Sequence, residues 1–325
     1  KTMHNPKTDW CFKTQFEKGL GDRQMNYPRG KTLGGSSSIN GLLYIRGQSQ
    51  DYDYWRQLGN VGWSWDDVLP YFKKSENNQR GENNFHGAAG PISVEDMRVK
   101  MKVLDTFINA ASEFGYKNQS DFNTGDNEGI GYFQVTQKNG FRCSAAVGYL
   151  NPIKNRKNLK ITTKAHIKNI EFIDKKAVSV NYWLGNELKS AQTNIEIILS
   201  AGSIGSPHIL QASGIGPSDL LKENDVNVIH ENKSVGKNLQ DHLMLRPVYK
   251  IKNLETLNEV YHNLYKKMMV GINYFLLRKG ALTMGASHLC GFIKSDEHLE
   301  TPNLQYHVSP MSTDILGKST LHTFP

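Results

Sequence analysis

The stretch Tyr27–Gly47 reads YPRGKTLGGSSSINGLLYIRG, and the interpretation of the whole chain starts from it. Two consecutive glycines, Gly34 and Gly35, leave the backbone without side chains at one point, so that it can lie flat against a ligand. Ser36 or Ser37 can then cap the start of a helical turn whose free N–H groups point outward. This arrangement is typical of a site that binds an anionic group through backbone amides.

The charged residues around these glycines are all basic. From residue 23 to residue 50 the chain contains no Asp or Glu. The cations of this stretch are Arg23, Arg29, Lys31 and Arg46. This balance suits a diphosphate. A Walker A loop, suggested by the letters RGKT, is excluded because it needs a glycine where the chain has Met25. On this stretch alone, a flexible glycine–serine loop stays open as the alternative.

A second glycine-rich segment, AGSIGSPHILQASGIGP, follows at residues 201–217. Together with the run RGKTLGGSSSING, it resembles the two signatures of the glucose–methanol–choline (GMC) flavoenzymes. The two signatures and the sequence between and around them cover nearly the whole chain, which disfavours the flexible-loop alternative. The tryptophan-rich, basic character of the chain is most similar to the insect-type glucose dehydrogenases of that family.

The resemblance implies a fold class and a division into domains. It predicts an α/β FAD-binding domain with part of a Rossmann-like sheet, and an α+β substrate domain with an antiparallel sheet. Residues 1–83 and 140–243 are assigned to the FAD-binding domain, and residues 84–139 and 244–325 to the substrate domain. The G-x-G-x-x-G fingerprint of the family's first βαβ unit is absent. The chain therefore resembles an internal fragment, truncated at both ends.

The resemblance also implies the cofactor contacts. The residues expected to contact FAD are Ser36, Asn40, Gly41, Leu42 and Leu43 and, through its backbone at the adenine end, Ile167. A methyl group at Gly35 or Gly41 is expected to weaken FAD binding rather than folding. The family places its catalytic base in a C-terminal His-Pro motif. None of the eleven histidines here precedes a proline, so no residue is assigned a catalytic role. No metal site is predicted either, because neither the histidines nor the cysteines have ligand spacing.

The function implied is FAD-dependent oxidation of a CH–OH group, with hydride transfer to flavin N5, by an alcohol or sugar dehydrogenase or oxidase. The electron acceptor, oxygen or a quinone, is not legible. Two alternatives stay open: a hydroxynitrile lyase that keeps the flavin, and a non-catalytic remnant that binds no cofactor. Without the first βαβ unit, the chain alone is expected to hold FAD weakly and to be inactive.

Composition limits the other classes of function. The chain has 325 residues, of which 38% are hydrophobic, and a net charge of +8. Its lysines are scattered without an aromatic stacking pattern, which argues against nucleic acid as a partner. No apolar run is long enough to span a bilayer. The three cysteines leave at most one disulfide possible, and two glycosylation triplets, at Asn118 and Asn232, would suit a secreted protein.

Local patterns predict several elements. Ser64 and Asp67 have the spacing of a capping box, and apolar residues recur at helical spacing from Val99 to Phe114. Residues 144–150 and 263–278 are also predicted as helices. Trp55, Trp63 and Trp65 are interpreted as packing anchors.

Period-two alternation predicts strands within residues 159–199, with a turn at Leu184–Glu187. The last of them, Ile195–Leu199, is nearly all apolar, as in a parallel strand buried on both faces. A helix is expected to begin near Ser206, with Pro207 in its first turn. Further strands are predicted at residues 130–135, 243–250, 287–293 and 303–308.

Overall fold

Most strands of the protein are short. The computed structural model describes residues 2–313 and residue 322. Its strands are β1 (Phe12–Lys13), β2 (Asn26–Tyr27), β3 (Leu43–Tyr44), β4 (Glu76–Asn78), β5 (Ile92–Asp96), β6 (Gly129–Tyr132), β7 (Gln134–Val135), β8 (Gln137–Lys138), β9 (Phe141–Arg142), β10 (Ala165–Ile173), β11 (Lys176–Leu184), β12 (Glu187–Gln192), β13 (Ile215–Gly216), β14 (His230–Glu231), β15 (Leu289–Ile293) and β16 (Leu304–Val308).

The α-helices range in length from 6 residues in α5 to 14 residues in α7. They are α1 (Ser49–Gln57), α2 (Trp65–Ser75), α3 (Lys102–Glu113), α4 (Gly202–Ala212), α5 (Ser218–Glu223), α6 (Leu257–His262) and α7 (Leu264–Leu277). Within the described residues there are also three 3₁₀ turns, at Lys18–Leu20, Gly35–Ser38 and Ala281–Thr283, and one π-helical turn, at Ala146–Leu150. Among the described residues, no helix combines the length and the apolar character needed to cross a bilayer.

Packing divides the chain into two units. The first comprises Lys1–Arg156 and Val248–Pro325, and the second comprises Lys157–Pro247. Both segments assigned to the substrate domain, 84–139 and 244–325, thus lie mostly in the unit that also contains residues 1–83. The division into FAD-binding and substrate domains is a functional one and stays a prediction.

Two sheets form the framework of the first unit. One has the strand order β3-β7-β5-β4, in which only the β4–β5 pair is parallel. The other is antiparallel, with the order β16-β15-β6. A shared apolar core joins the signature stretch to both sheets. Its buried members are Leu42, Met97, Phe122, Phe133, Val135 and Cys290.

Local sequence explains where the helices of this unit begin and what they bury. The predicted capping box is confirmed at α2, where the Asp67 N–H donates to the Ser64 hydroxyl and the Ser64 N–H to the Asp67 carboxylate. The predicted helix over 99–114 is confirmed as α3, which buries Leu104 and Ile108 against β6 and β15. Asn263 caps α7, as the prediction for residues 263–278 implies.

The second unit is built on an antiparallel meander of β10, β11 and β12. The predicted turn at Leu184–Glu187 connects the last two strands, with Gly185 at φ +62°. The end of α4 is tied to the meander, because the Ile170 N–H donates to the Ser213 hydroxyl at 2.8 Å. A short parallel pair, β13 with β14, follows α4.

Two strand predictions are wrong. Ile195–Leu199 forms no strand, and the side chains of Ile195 and Ile198 are 88% and 78% exposed. A parallel strand that is apolar on both faces needs hydrogen-bonded neighbours and covered faces, and the described residues of this unit provide neither. Leu243–Lys250 also lacks strand structure, and Leu245 is 86% exposed.

Three further predictions need correction. Helix α4 begins at Gly202 rather than near Ser206, so Pro207 lies inside it. The predicted helix over 144–150 is a π-helical turn. Of the tryptophans predicted as packing anchors, Trp65 is buried. Trp55 and Trp63 are exposed and contact each other edge to face at the surface.

All three cysteines are free: Cys11 is exposed, whereas Cys143 and Cys290 are buried.

Candidate functional site

The double glycine of the signature stretch forms a tight turn. Gly34 has φ +85° and Gly35 has φ +54°, in the left-handed region that glycine adopts without strain. Gly35 then opens the 3₁₀ turn Gly35–Ser38. A Cβ atom built on Gly35 would have no neighbouring atom within 4 Å, so this face of the turn is open. An open, side-chain-free turn of this kind can receive a ligand directly on its backbone.

The three serines hold the turn in shape. The Ser36 hydroxyl accepts the Gly30 N–H at 3.1 Å, and the Ser38 hydroxyl donates to the Leu33 carbonyl at 2.8 Å. The Ser37 hydroxyl bridges two segments, since it donates to the Gly34 carbonyl and accepts the Ala145 N–H. Ser36 is the exposed member of the three, and accepting one bond leaves its hydroxyl hydrogen able to donate to a ligand.

The Arg142 side chain fixes the end of the turn through hydrogen bonds to Ser37 and Asn40. Its guanidinium donates to the Asn40 side-chain oxygen at 2.7 Å, to the Asn40 carbonyl at 2.8 Å and to the Ser37 carbonyl at 3.0 Å. Burial lowers the pKa of Arg142 from its ordinary value. Asn40 is thereby held in place, and its side-chain oxygen also accepts the Leu42 N–H. The pattern of the signature gives no sign of Arg142, which lies 102 residues beyond Asn40.

Gly41 faces protein atoms rather than open space. A Cβ atom at this position would lie 2.6 Å from the Ala286 Cβ, and the Ala286 N–H donates to the Gly41 carbonyl at 3.0 Å. Close packing against residue 286 therefore explains the glycine. The expectation that a methyl group at Gly41 disturbs only the cofactor has to be corrected, whereas the open surface at Gly35 is compatible with it.

The remaining predicted contacts differ in accessibility. Leu42 is buried and has φ +69°, an unusual value for a residue with a side chain. Leu43 is half-buried and begins β3, where it pairs with Val135. Ile167 lies in the second unit, half-buried in β10 opposite Tyr182, next to an irregularity in the strand register. The structure thus brings the first five predicted residues together on one stretch and leaves Ile167 on a separate strand.

The charge beside the turn suits a dinucleotide diphosphate. Arg29 stacks over the Tyr27 ring and Lys31 over the Trp10 ring, so two cations flank Gly30. The nearby carboxylate of Asp9 is buried and accepts backbone N–H groups, including that of Arg29 at 3.0 Å. Burial alone would raise the pKa of Asp9, but these bonds lower it overall. The Asp9 carboxylate therefore stabilises the backbone of residues 4–11 and of Arg29 through these hydrogen bonds.

A buried charge network lies further along the signature stretch, and the sequence patterns did not indicate it. Arg46 and Glu76 form an ion pair at 2.8 Å, and both side chains are at most 1% exposed. His86 contacts the same Glu76 carboxylate through Nδ1 at 2.9 Å and Asp121 through Nε2 at 2.8 Å. Burial by itself would lower the pKa of His86, but the hydrogen bonds to Asp121 and Glu76 outweigh it and raise the pKa to about 9.

This network anchors the end of the stretch rather than offering a reactive group. The Arg46 guanidinium also donates to the carbonyls of Phe85 and Asn123, at 2.8 and 3.2 Å. Its backbone N–H donates to the Asn123 side chain at 2.8 Å. Every charge has an opposite partner, so the network stabilises the fold around the candidate site.

Comparison with known proteins gives consistent results. The GMC oxidoreductase family model matches residues 15–244. An alcohol dehydrogenase [acceptor] of Pseudomonas putida is 39% identical over 311 residues, covering 94% of this chain and 56% of the relative. An oxygen-dependent choline dehydrogenase of Vibrio vulnificus is 39% identical over 319 residues, covering 98% and 57%. The chain thus spans a little over half the length of these relatives.

Solved structures show the same likeness. An FAD-dependent oxidoreductase from Chaetomium thermophilum superimposes with a TM-score of 0.81 at 27% identity, covering 90% of this chain and 55% of that one. A formate oxidase variant from Aspergillus oryzae gives a TM-score of 0.79 at 26% identity, covering 90% and 53%. The mixed α/β fold expected from the signatures is thereby confirmed, while the finer likeness to insect-type glucose dehydrogenases stays a prediction.

Proposed function

The chain belongs to the GMC oxidoreductase family, whose cofactor is FAD, and on this premise we propose that the protein is an FAD-dependent oxidoreductase of alcohols or sugars. The relatives that support this proposal are named as alcohol and choline dehydrogenases. The observation that carries it is the open turn at Gly35, whose later residues Ser37 and Asn40 are held by hydrogen bonds from Arg142. A rigid backbone surface loses little conformational entropy when a cofactor binds to it.

The turn has the groups that a diphosphate needs. The Gly35 backbone would approach the phosphates without steric hindrance, and the exposed Ser36 hydroxyl would donate a hydrogen bond to them. Arg29 and Lys31 supply positive charge on the flank. The remaining proposed FAD contacts are Asn40, Gly41, Leu42, Leu43 and, through its backbone at the adenine end, Ile167.

The chemistry follows from this placement. When bound, FAD supplies the two-electron acceptor for the hydride that leaves the carbinol carbon of the donor. The proposed role of the described residues is to hold the cofactor in one position. Arg142 keeps the Asn40 side chain oriented, and the apolar core and β7 hold the Leu42–Leu43 segment. Such positioning is the protein's main contribution in flavoenzymes.

Two glycine variants test the cofactor site. Gly35 and Gly185 both have positive φ, +54° and +62°, and a Cβ atom at either would meet nothing within 4 Å. Gly35→Ala and Gly185→Ala therefore introduce similar backbone strain, but only the first adds a methyl group where FAD is proposed to bind. We expect Gly35→Ala to weaken FAD binding by about tenfold or more, a change of about 1.4 kcal/mol, and Gly185→Ala to leave it unchanged. Flavin fluorescence titration measures both.

Flavin reduction tests the reaction. Because the chain alone is expected to be inactive, the reaction is tested on the full-length protein. Anaerobic addition of butan-1-ol or glucose to its FAD-loaded form is expected to bleach the visible flavin absorbance. Oxidised flavin that persists with every alcohol while a cyanohydrin is cleaved would point to the lyase alternative. Equal FAD affinity in the two glycine variants would contradict the proposed binding site, and the absence of any FAD binding by the full-length protein would favour a non-catalytic protein.

A further inference from the structure

A second buried histidine, His288, has no partner for its ring. The residue is fully buried, and neither Nδ1 nor Nε2 has a hydrogen-bond partner within residues 2–313. Buried polar atoms in native proteins are nearly always paired, because an unpaired one loses its bonds to water without replacement. A phenylalanine or leucine at this position would fill the space without that loss. An unpaired imidazole in the interior therefore has two ring nitrogens open to a ligand or to a water molecule.

Ser309 repeats this feature at the same end of the sheet. Its hydroxyl is buried, and it too lacks a partner among the described residues. Ser309 directly follows β16 and His288 directly precedes β15, and these two strands are paired. The His288 N–H donates to the Val308 carbonyl at 3.0 Å, which brings the two chain segments together at this point. Two unpaired polar side chains thus lie at one end of one strand pair.

This end of the sheet adjoins the signature stretch. Ala286, two residues before His288, donates its N–H to the Gly41 carbonyl. Cys290, two residues after His288, shares the buried core cluster with Leu42. The segment that carries His288 is therefore in direct contact with the residues proposed to bind FAD.

The strands around this point carry no charged side chains. Residues 129–137, 281–293 and 304–312, which comprise the three strands of this sheet and the chain next to them, contain no Asp, Glu, Lys or Arg. The start of α6 also reaches this end, because the Leu257 N–H donates to the Pro310 carbonyl, and the Glu259 carboxylate there accepts the Thr256 N–H. Burial lowers the pKa of His288 to about 4, so its ring is neutral at physiological pH. A neutral imidazole offers one N–H donor and one nitrogen acceptor, and a serine hydroxyl can act as either.

These groups match a hydroxyl, which both donates and accepts. Choline carries the same hydroxyl, but its quaternary ammonium keeps a full charge, which needs a negative charge or an aromatic cage in compensation. The rings of Phe133 and Phe292, in or next to the strands of this sheet, pack against Phe122, and burying an uncompensated charge beside uncharged strands is costly. We propose that His288 and Ser309 form a subsite that hydrogen-bonds a neutral alcohol and does not hold a quaternary ammonium alcohol such as choline. This inference rests on the proposed function, and it names the class of donor that the enzyme takes.

Ring-nitrogen NMR tests the subsite directly. The full chain is labelled with nitrogen-15 at histidine, and the His288 signals are assigned by their loss in His288→Phe. Butan-1-ol and choline are then titrated separately, without FAD. We expect butan-1-ol to shift the His288 ring signals in a saturating manner and choline to leave them in place at equal concentration.

Two further variants make the result specific. Ser309→Ala is expected to weaken butan-1-ol binding about fivefold, the size of one neutral hydrogen bond. His298→Gln, a change at an exposed histidine, should leave the titration unchanged. An equal or larger response to choline would overturn the proposal, as would unaltered binding in Ser309→Ala. A His288 signal that no alcohol moves would mean that the ring is bonded only to internal water, and this would overturn it as well.

The titration can fail independently of the proposed function. If the protein reduces its flavin with alcohols but the His288 ring signals do not shift, only the proposed subsite is contradicted. If butan-1-ol shifts the His288 signals but the flavin is never reduced, only the proposed reaction is contradicted.

Discussion

His86 and His288 are both fully buried, yet they behave in opposite ways. His86 lies between two carboxylates, Glu76 and Asp121, and its pKa is raised to about 9. His288 has no charged or polar partner among the described residues, and burial lowers its pKa to about 4. Burial alone thus makes a histidine neutral, and only paired carboxylates reverse the effect.

The two environments serve different purposes. Around His86, charges of opposite sign alternate from Arg46 through Glu76 to Asp121, and Arg80 extends the series at 3.6 Å from Asp121. That region is complete without a ligand. Around His288 the strands of the sheet carry no charged side chains, and the side chains of His288 and Ser309 are unpaired among the described residues. We infer that the first region maintains the shape of the signature stretch and that the second is reserved for a ligand.

The largest loss of stability is expected from Glu76→Gln, which disrupts the buried charge network of Arg46, Glu76, His86 and Asp121. The substitution keeps the size of the side chain but leaves the buried Arg46 and His86 without their shared carboxylate. Removing one partner of a buried ion pair costs about 3–5 kcal/mol. We expect the free energy of unfolding, measured by urea denaturation, to fall by this amount.

Asp126→Asn is the control for that measurement. Asp126 pairs with Lys117 at 2.9 Å, but both side chains are more than half exposed. Exposed ion pairs contribute about 0–1 kcal/mol, so little change is expected. If Glu76→Gln were as mild as Asp126→Asn, the paired region would not stabilise the fold.

The next effect concerns pH, because the two histidines act in opposite windows. His86 binds a proton more tightly when folded, so its contribution is complete below pH 6.5 and is lost as the pH rises through about 9. The difference between 6.5 and about 9 corresponds to about 3 kcal/mol. His288 binds a proton less tightly when folded, so the stability present above pH 6.5 is lost as the pH falls toward about 4.

Urea denaturation across this pH range checks both windows. The free energy of unfolding is expected to be greatest near neutral pH and to decline on both sides. His86→Gln should remove the decline on the alkaline side, and His288→Phe should reduce the decline on the acid side. A variant that changed the opposite side would contradict the assignment of charge states to the two rings.

The smallest expected loss of stability concerns two glycines of the signature stretch, Gly41, which packs against Ala286, and Gly35, which faces open space. Gly41→Ala places a Cβ atom 2.6 Å from the Ala286 Cβ, and overpacking of this kind costs about 1–3 kcal/mol. Gly35→Ala meets no neighbour, so only backbone strain of about 1 kcal/mol or more is expected.

The double variant Gly41→Ala with Ala286→Gly isolates the collision. Thermal unfolding should show that Ala286→Gly recovers much of the stability lost in Gly41→Ala, and that it recovers none of the loss in Gly35→Ala. Equal behaviour of the two glycine variants would mean that the space at Gly41 is not filled by Ala286.

Sequence by itself determined the features that depend on neighbouring residues. The capping box of Ser64 and Asp67, the helix around Leu104 and Ile108, and the turn at Gly185 all follow from short-range patterns. The signatures also sufficed to identify the family and the stretch proposed to bind FAD. These inferences hold because hydrogen bonds to the nearest residues and the side-chain period are fixed by the local backbone.

Tertiary structure alone decided the rest. Ile195–Leu199 has the composition of a buried strand, but it has no neighbouring strand within the described residues and therefore forms no strand itself. Arg142 orients Asn40, and Ala286 fills the space beside Gly41, although neither lies near the signature in sequence. The opposite charge states of His86 and His288 likewise depend on which distant side chains surround each ring. Burial and electrostatic environment come from contacts between remote segments, and no local pattern records them.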